Sequence, residues 1–219
     1  MDFGFIQSNL RYLLNGLGIT IALALFSFAG CLVVGTALAL MRLSPWHWLR
    51  VPTALYIDVV RMVPLIMVIF WVFFLLPVLI GRPIDPFIAG LAALVAFHST
   101  YIAEVMRAGI QAVPRGLTEA SRSCGMSYRH SMWYVVLPVA VRNMLPALVN
   151  RFVALFMGTS LVYVIGVTDF FRAAANVNMR VFRPYEVFIF VALVYFVFCY
   201  CISRYGLYLE RRLATGASR

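Results

Sequence analysis

The sequence contains no lysine: all 18 of its basic residues are arginine, set against eight Asp and Glu. A phosphate-binding loop of the G-x-x-x-x-G-K-[ST] type needs a lysine at its centre, so the chain has no such nucleotide site. Histidine is scarce, and His47, His98 and His130 stand too far apart for H-E-x-x-H or another zinc pattern. No G-x-S-x-G elbow occurs, which removes the commonest hydrolase signature. The four cysteines, Cys31, Cys124, Cys199 and Cys201, have neither metal nor redox spacing and are expected to be small buried hydrophobes. Charged residues make up only 12% of the chain and hydrophobic ones 63%, outside the range of ordinary water-soluble domains.

What is abundant is apolar length. Five stretches emerge when the chain is cut at its charges, at about residues 18–41, 63–80, 87–105, 144–167 and 187–207. Each approaches the ~20 residues that a helix needs to cross a bilayer. Helices are the only suitable form, because a backbone in lipid must satisfy its own hydrogen bonds and the runs are too uniform for barrel strands. The first stretch is longer than a signal-peptide core and lacks a polar cleavage region, so it is expected to be a retained span. A formal charge of +10 would suggest nucleic acid in a soluble protein, but here the arginines fall between spans and topology accounts for them. With the N-terminus outside, Arg42, Arg50, Arg107, Arg115, Arg122, Arg129, Arg142, Arg204, Arg211, Arg212 and Arg219 lie inside. Only Arg11, Arg82, Arg172, Arg180 and Arg183 lie outside, so the positive-inside rule favours this orientation.

The least apolar passage is "EASRSCGMSYRHSMWYVVLP", residues 119–138, which falls on the predicted inner side. Pro114 should break the preceding helix, Leu117 to Cys124 should form a short one, and Gly125 should end it in a left-handed cap. A second short helix over Tyr128 to Leu137 is expected to stop at Pro138. By physics alone, the passage is either an amphipathic hairpin at the membrane surface or a docking element.

Its spacing resembles a known loop. Glu119-Ala120-Ser121, three residues, Gly125, nine residues, Val135, one residue and Leu137-Pro138 are similar to the E-A-A-x3-G-x9-I-x-L-P loop of bacterial ABC-importer permeases. Upstream "YIAEVMRAGIQAVPRG", together with "VVRMVPL" and "NRFVALFMGTSLVYVIG", resembles the polar amino-acid uptake branch, and the similarity covers roughly residues 10–209. Leu117 departs from the usual Gln of that branch, Met62-Val63 from a frequent Gly-Thr, and Met157 from a common Lys. The resemblance implies one all-α transmembrane domain over residues 1–219, with five spans and a cytoplasmic coupling-helix loop at 107–140 between the third and fourth. It implies a bacterial inner-membrane location with the N-terminus periplasmic and the C-terminus cytoplasmic. The implied partners are two ATPase subunits that hold the ATP and Mg, a paralogous permease or a second copy, and a periplasmic amino-acid-binding protein. No cofactor on this chain and no nucleic acid is implied. Glu119, Ala120, Ser121, Gly125, Leu137 and Pro138 would carry the ATPase contact.

Substrate candidates lie in the fourth stretch. Arg151 falls about two turns into it, where a charge costs at least ~2.5 kcal/mol on insertion scales and should face an interior or wet cavity. Relatives often carry Glu there in an "N-E-F" triplet; Arg in "NRF" inverts the field and suits an acidic substrate, which a guanidinium can grip bidentately. The alternative is a later helix start, with Arg151 snorkelling to the surface. The passage from Ser160, "SLVYVIGVTDFFRAAANV", resembles glutamate/aspartate permeases. Thr159 and Ser160 would either add hydroxyl contacts or bond back to their own helix. Arg61 is a further substrate candidate, although its spacing from Asp58 allows an ion pair, as does that of Arg107 from Glu104. His98, Ser99 and Tyr101 either line a cavity or pack helices. The outer segment 168–185 is expected to receive the binding protein or to be solvated. Import of another polar amino acid, a passive channel and a non-transporting scaffold stand as alternative readings.

Overall fold

A computed structural model describes residues 4–215, and all the regular elements among them are helical. Among the described residues, four helical stretches are long and apolar enough to cross a membrane, or five if one bent helix pair counts as a single span. Arg219, counted above with the inner arginines, lies outside the described residues.

Helix α1 runs from Gly4 to Leu43, starting well before the predicted span. At ~1.5 Å per residue its 40 residues extend beyond a ~30 Å hydrocarbon layer. The additional turns are held by packing: Phe5 and Leu13 are buried with Phe170, Ala173, Ala174 and Val177 of α9, Phe170–Val181. At Gly16 a Cβ would stand 2.8 Å from that of Ala173 and 2.9 Å from the Asp169 carbonyl, so only glycine permits the approach. The predicted outer connector is therefore largely a helix folded against α1, which replaces the expectation of a solvated loop.

The stretch expected as the second span is also more structured than predicted. Residues 47–62, expected as loop and span entry, form α2, His47–Met62. Val63 is extended, as the residue before a proline prefers, and the chain turns by 109° at Val63-Pro64 into α3, Leu65–Phe70. A π turn, Trp71–Leu75, then leads into α4, Leu76–Ile80.

Helix α5, Pro86–Gln111, is the central element; Asp85 caps it by accepting the Phe87 and Ile88 N–H groups. Its buried face is mostly small, with Ala89, Gly90, Ala93, Ser99, Ala103 and Gly109, which lets neighbouring backbones come close. Gly35 of α1 meets the Ser99 carbonyl, where a Cβ would stand at 2.9 Å.

After α6, Arg115–Ser123, the chain forms α7, Tyr128–Ser131, a π turn, Met132–Val136, and α8, Leu137–Gly158. The expected stop at Pro138 does not occur. Proline lacks an N–H and its ring crowds the carbonyl four residues back, and the wider π turn resolves both problems, with the Leu137 N–H bonding to Met132 O. Pro77 follows the first π turn at the same offset, and there Leu76 N–H reaches Trp71 O. A 3-10 segment, Thr159–Ile165, continues α8. Gly166 and Phe182 take left-handed φ values of 101° and 52° on either side of α9, before α10, Pro184–Thr215. Large apolar side chains such as Phe26, Val33, Val78, Leu193 and Phe196 are exposed on the helix flanks, as a lipid-facing surface requires.

Candidate functional site

Helix α5 runs antiparallel to α8 and the 3-10 segment that continues it, with Gly90 meeting Val162 of that segment at one end and Gly109 meeting Met144 of α8 at the other. Toward the second end they part around a cavity of about 380 Å³. Helix α5 lines it with Tyr101, Val105 and Ala108 and its C-cap with Ala112, at three- and four-residue steps along one face, and Glu104 and Arg107 border it. Helix α8 contributes Asn143, Ala147 and Arg151 by the same periodicity, and Arg61 enters from the last turn of α2. The cavity's outer end is marked by the exposed residues Ala112 and Asn143.

The guanidinium carbons of Arg61 and Arg151 lie 4.9 and 4.8 Å from the centroid of one ring, Tyr101. Aromatic faces attract cations, and a single ring here carries two. Among the described residues, neither arginine forms an ion pair. The expected Asp58–Arg61 pair is absent: Asp58 turns to Arg42 of α1 at 3.5 Å, which leaves Arg61 to the ring. Glu104 is saturated, at 2.6 Å from Arg42 and 2.9 Å from Arg107, so the expected Glu104–Arg107 pair forms within a larger network that ties α1 to α5. Glu104 also lines the cavity and lies within electrostatic reach of Arg61, but it is bonded to Arg42 and Arg107, so the wall, with Arg61, Arg107 and Arg151 on it, keeps a net positive charge.

Arg151 is half-buried and sits well inside α8, which starts at Leu137 and so does not begin late. Thr159 and Ser160 do not line this cavity; their hydroxyls donate to the Phe156 and Met157 carbonyls of their own helix at 2.7 and 2.8 Å. The role of Tyr101 as a shared platform was not legible, although its three-residue offset from Glu104 places both on one helix face.

The polar passage presents a second site. Helix α6 ends in a left-handed Gly125, φ 81°, with Gly125 N–H bonding to Arg122 O and Met126 N–H to Ser121 O. Glu119 and Ala120 are exposed, whereas Ser121 is buried and its hydroxyl meets that of Ser131 on α7. This contact fixes α6 against the start of the long span that leads through Leu137 and the exposed Pro138 to Arg151. Cys124 and Cys201 are exposed and Cys199 is half-buried, so only Cys31 fits the expected buried class.

Between the last two spans, Asp169 is wholly buried and caps α9 by accepting the Phe171 and Arg172 N–H groups. Burial pushes its carboxyl up to about 6, against the opposing effect of those backbone donors. Arg172 donates to the Tyr163 carbonyl at 2.8 Å, while Arg180 is exposed in the last turn of α9.

Comparison with known proteins supplies the family. The chain is 39% identical over 207 residues to the inner-membrane amino-acid ABC transporter permease YhdY of Escherichia coli K12, covering 92% of this chain and 56% of that relative's length. It is 35% identical over 220 residues to the glutamate/aspartate import permease GltK of Escherichia coli O157:H7, covering 97% of this chain and 98% of GltK. Other relatives are permeases named for glutamine, arginine and cystine. Among solved structures, an amino acid ABC transporter with histidines superposes with a TM-score of 0.90 at 34% identity, over 97% of this chain and 99% of that one. The profile described as "binding-protein-dependent transport system inner membrane component" matches residues 32–215, and the chain belongs to that family.

Proposed function

We propose that the chain is the permease subunit of an ATP-driven amino-acid importer and that its substrates are glutamate and aspartate. The observation that carries the substrate is the pair Arg61 and Arg151, held on Tyr101 with neither in an ion pair among the described residues, on a wall whose one carboxylate, Glu104, is bonded to Arg42 and Arg107. A dicarboxylic amino acid supplies the missing charge, and guanidinium groups bind carboxylates with paired, directional hydrogen bonds. The amide of glutamine cannot replace that charge. Resemblance to GltK supports the same reading. Arg151 and Arg61 are the proposed contacts. Thr159 and Ser160 act by shaping the α8 terminus through their back-bonded hydroxyls.

The proposed assembly has two ATPase subunits, which bind ATP and Mg, a paralogous permease or second copy of this chain, and a periplasmic amino-acid-binding protein. The N-terminus faces the periplasm, consistent with the arginine bias between spans. Helix α6, through Glu119, Ala120, Ser121 and Gly125, is the ATPase contact, and Leu137-Pro138 passes its displacement into α8. Nucleotide-driven closure then alternates access to the cavity, provided the ATPase binds one state better than the other.

The test uses the solubilised permease–ATPase complex without its binding protein, so that selectivity belongs to the membrane subunits alone. Calorimetric titration is expected to show binding of glutamate and aspartate and much weaker binding of glutamine and arginine. Equal or tighter binding of glutamine overturns the acidic-substrate reading.

A further inference from the structure

His98 lies one turn beyond Tyr101 on α5, and its side-chain Nε2 is buried with no hydrogen-bond partner in the protein. The residue is only 6% exposed. Buried polar atoms are normally bonded, because leaving one unpaired costs the fold its full desolvation penalty. Across from it stands Gly158 of α8, where an added Cβ would be 3.2 Å from Nε2. The missing side chain lets the α8 backbone come close to the nitrogen without offering it a partner. Neither residue lines the cavity as it stands, but each lies deeper on a helix face that does: His98 beyond Tyr101, Val105 and Ala108 on α5, and Gly158 beyond Ala147 and Arg151 on α8. The imidazole and the Tyr101 ring are neighbours, with centroids 6.4 Å apart, so the orphan nitrogen lies just past the ring that carries both guanidinium groups.

We infer that His98 is the deep specificity contact of this cavity: Nε2–H donates to the side-chain carboxylate of a bound acidic amino acid, while Arg61 and Arg151 hold its charge. This rests on the acidic-substrate reading above. An acceptor-only carboxylate selects the tautomer with the proton on Nε2, whereas the amide of glutamine has only one acceptor oxygen for all three donors. His98 thus adds to the discrimination of glutamate from glutamine that the arginines begin, and Gly158 is required because a Cβ there, 3.2 Å from the nitrogen, would take the place of the carboxylate.

Two substitutions separate this role from helix packing. His98→Phe keeps a ring against Phe97 and Tyr101 but removes the donor; His98→Gln keeps a donor. In the solubilised permease–ATPase complex, His98→Phe is expected to weaken glutamate binding roughly tenfold and to leave glutamine binding unchanged, since a hydrogen bond to a charged group is lost. His98→Gln is expected to restore most of the glutamate preference. Glutamate affinity unchanged in His98→Phe, or an equal loss for both ligands, overturns the assignment. Because a variant can fail to assemble, 15N-histidine NMR of the wild-type complex provides an independent test. Glutamate is expected to move the Nε2 resonance that persists in a variant lacking His47 and His130, and glutamine is not; an unmoved resonance overturns the contact. A wild-type complex with no preference for glutamate fails at the earlier step and removes the substrate on which the assignment rests.

Discussion

Arg61 and Arg151, ninety positions apart in the chain, place their guanidinium groups 4.9 and 4.8 Å from the same tyrosine ring. Each cation–π contact is worth about 0.5–2 kcal/mol, depending on how dry the site is. Replacing Tyr101 by Leu removes both platforms at once. Glutamate affinity of the assembled complex is expected to fall roughly three- to tenfold, whereas Tyr101→Phe, which retains the π face, should stay close to wild type. Titration calorimetry checks both.

The hydroxyls of Ser121 and Ser131 are buried against each other where α6 meets α7. Ser121→Ala leaves Ser131 without that partner and should cost about 1–2 kcal/mol, while Ser121→Ala combined with Ser131→Ala should cost less than the sum of the single changes. Thermal unfolding of the solubilised protein measures the cycle.

Gly125 has open space around it, so its requirement for glycine is one of backbone conformation rather than contact. At φ 81° an alanine costs about 1 kcal/mol. Gly125→Ala is expected to loosen the end of α6 and to reduce co-purification of the ATPase subunit. Gly125→Asp adds a charge at that surface and should release the subunit further.

Asp169 gives stability a pH dependence of definite sign. Its folded-state value of about 6 exceeds the ordinary 3.8, because burial disfavours the carboxylate. Its contribution is thus fully present below the unfolded value and is lost as pH rises through about 6. Asp169→Asn keeps an acceptor for the N–H groups of Phe171 and Arg172 but cannot ionise. Melting temperatures measured across this window should lose part of their downward slope with pH in the variant.

Local rules made some of the structure legible and misjudged other parts where tertiary partners intervene. Gly125 and the short helix before it follow from capping chemistry, which is decided within a few residues. Pro138 was misjudged because a proline's cost to a helix can be relieved by a π turn placed just before it, and nothing in residues 132–136 announces one. The Asp58–Arg61 pairing failed because Arg42, from another helix, reached the carboxylate first. Residues 170–181 form a helix because α1 offers Phe5, Leu13 and Gly16 as a surface, which only the folded chain provides. Arg151 was legible as a charge within a long apolar stretch; that Arg61 would join it on Tyr101 depends on contacts between separate helices, which only the folded chain provides.

The most direct test of the acidic-substrate account is charge reversal at Arg151. With the assembled importer in proteoliposomes, uptake of labelled glutamate and arginine is compared for wild type, Arg151→Ala and Arg151→Glu, with ligand supplied to the permease without its binding protein. The account predicts that glutamate uptake drops at least about tenfold in both variants, as loss of a charge-assisted pair requires, and that Arg151→Glu gains uptake of arginine. Glutamate uptake at the wild-type level in both variants would contradict it.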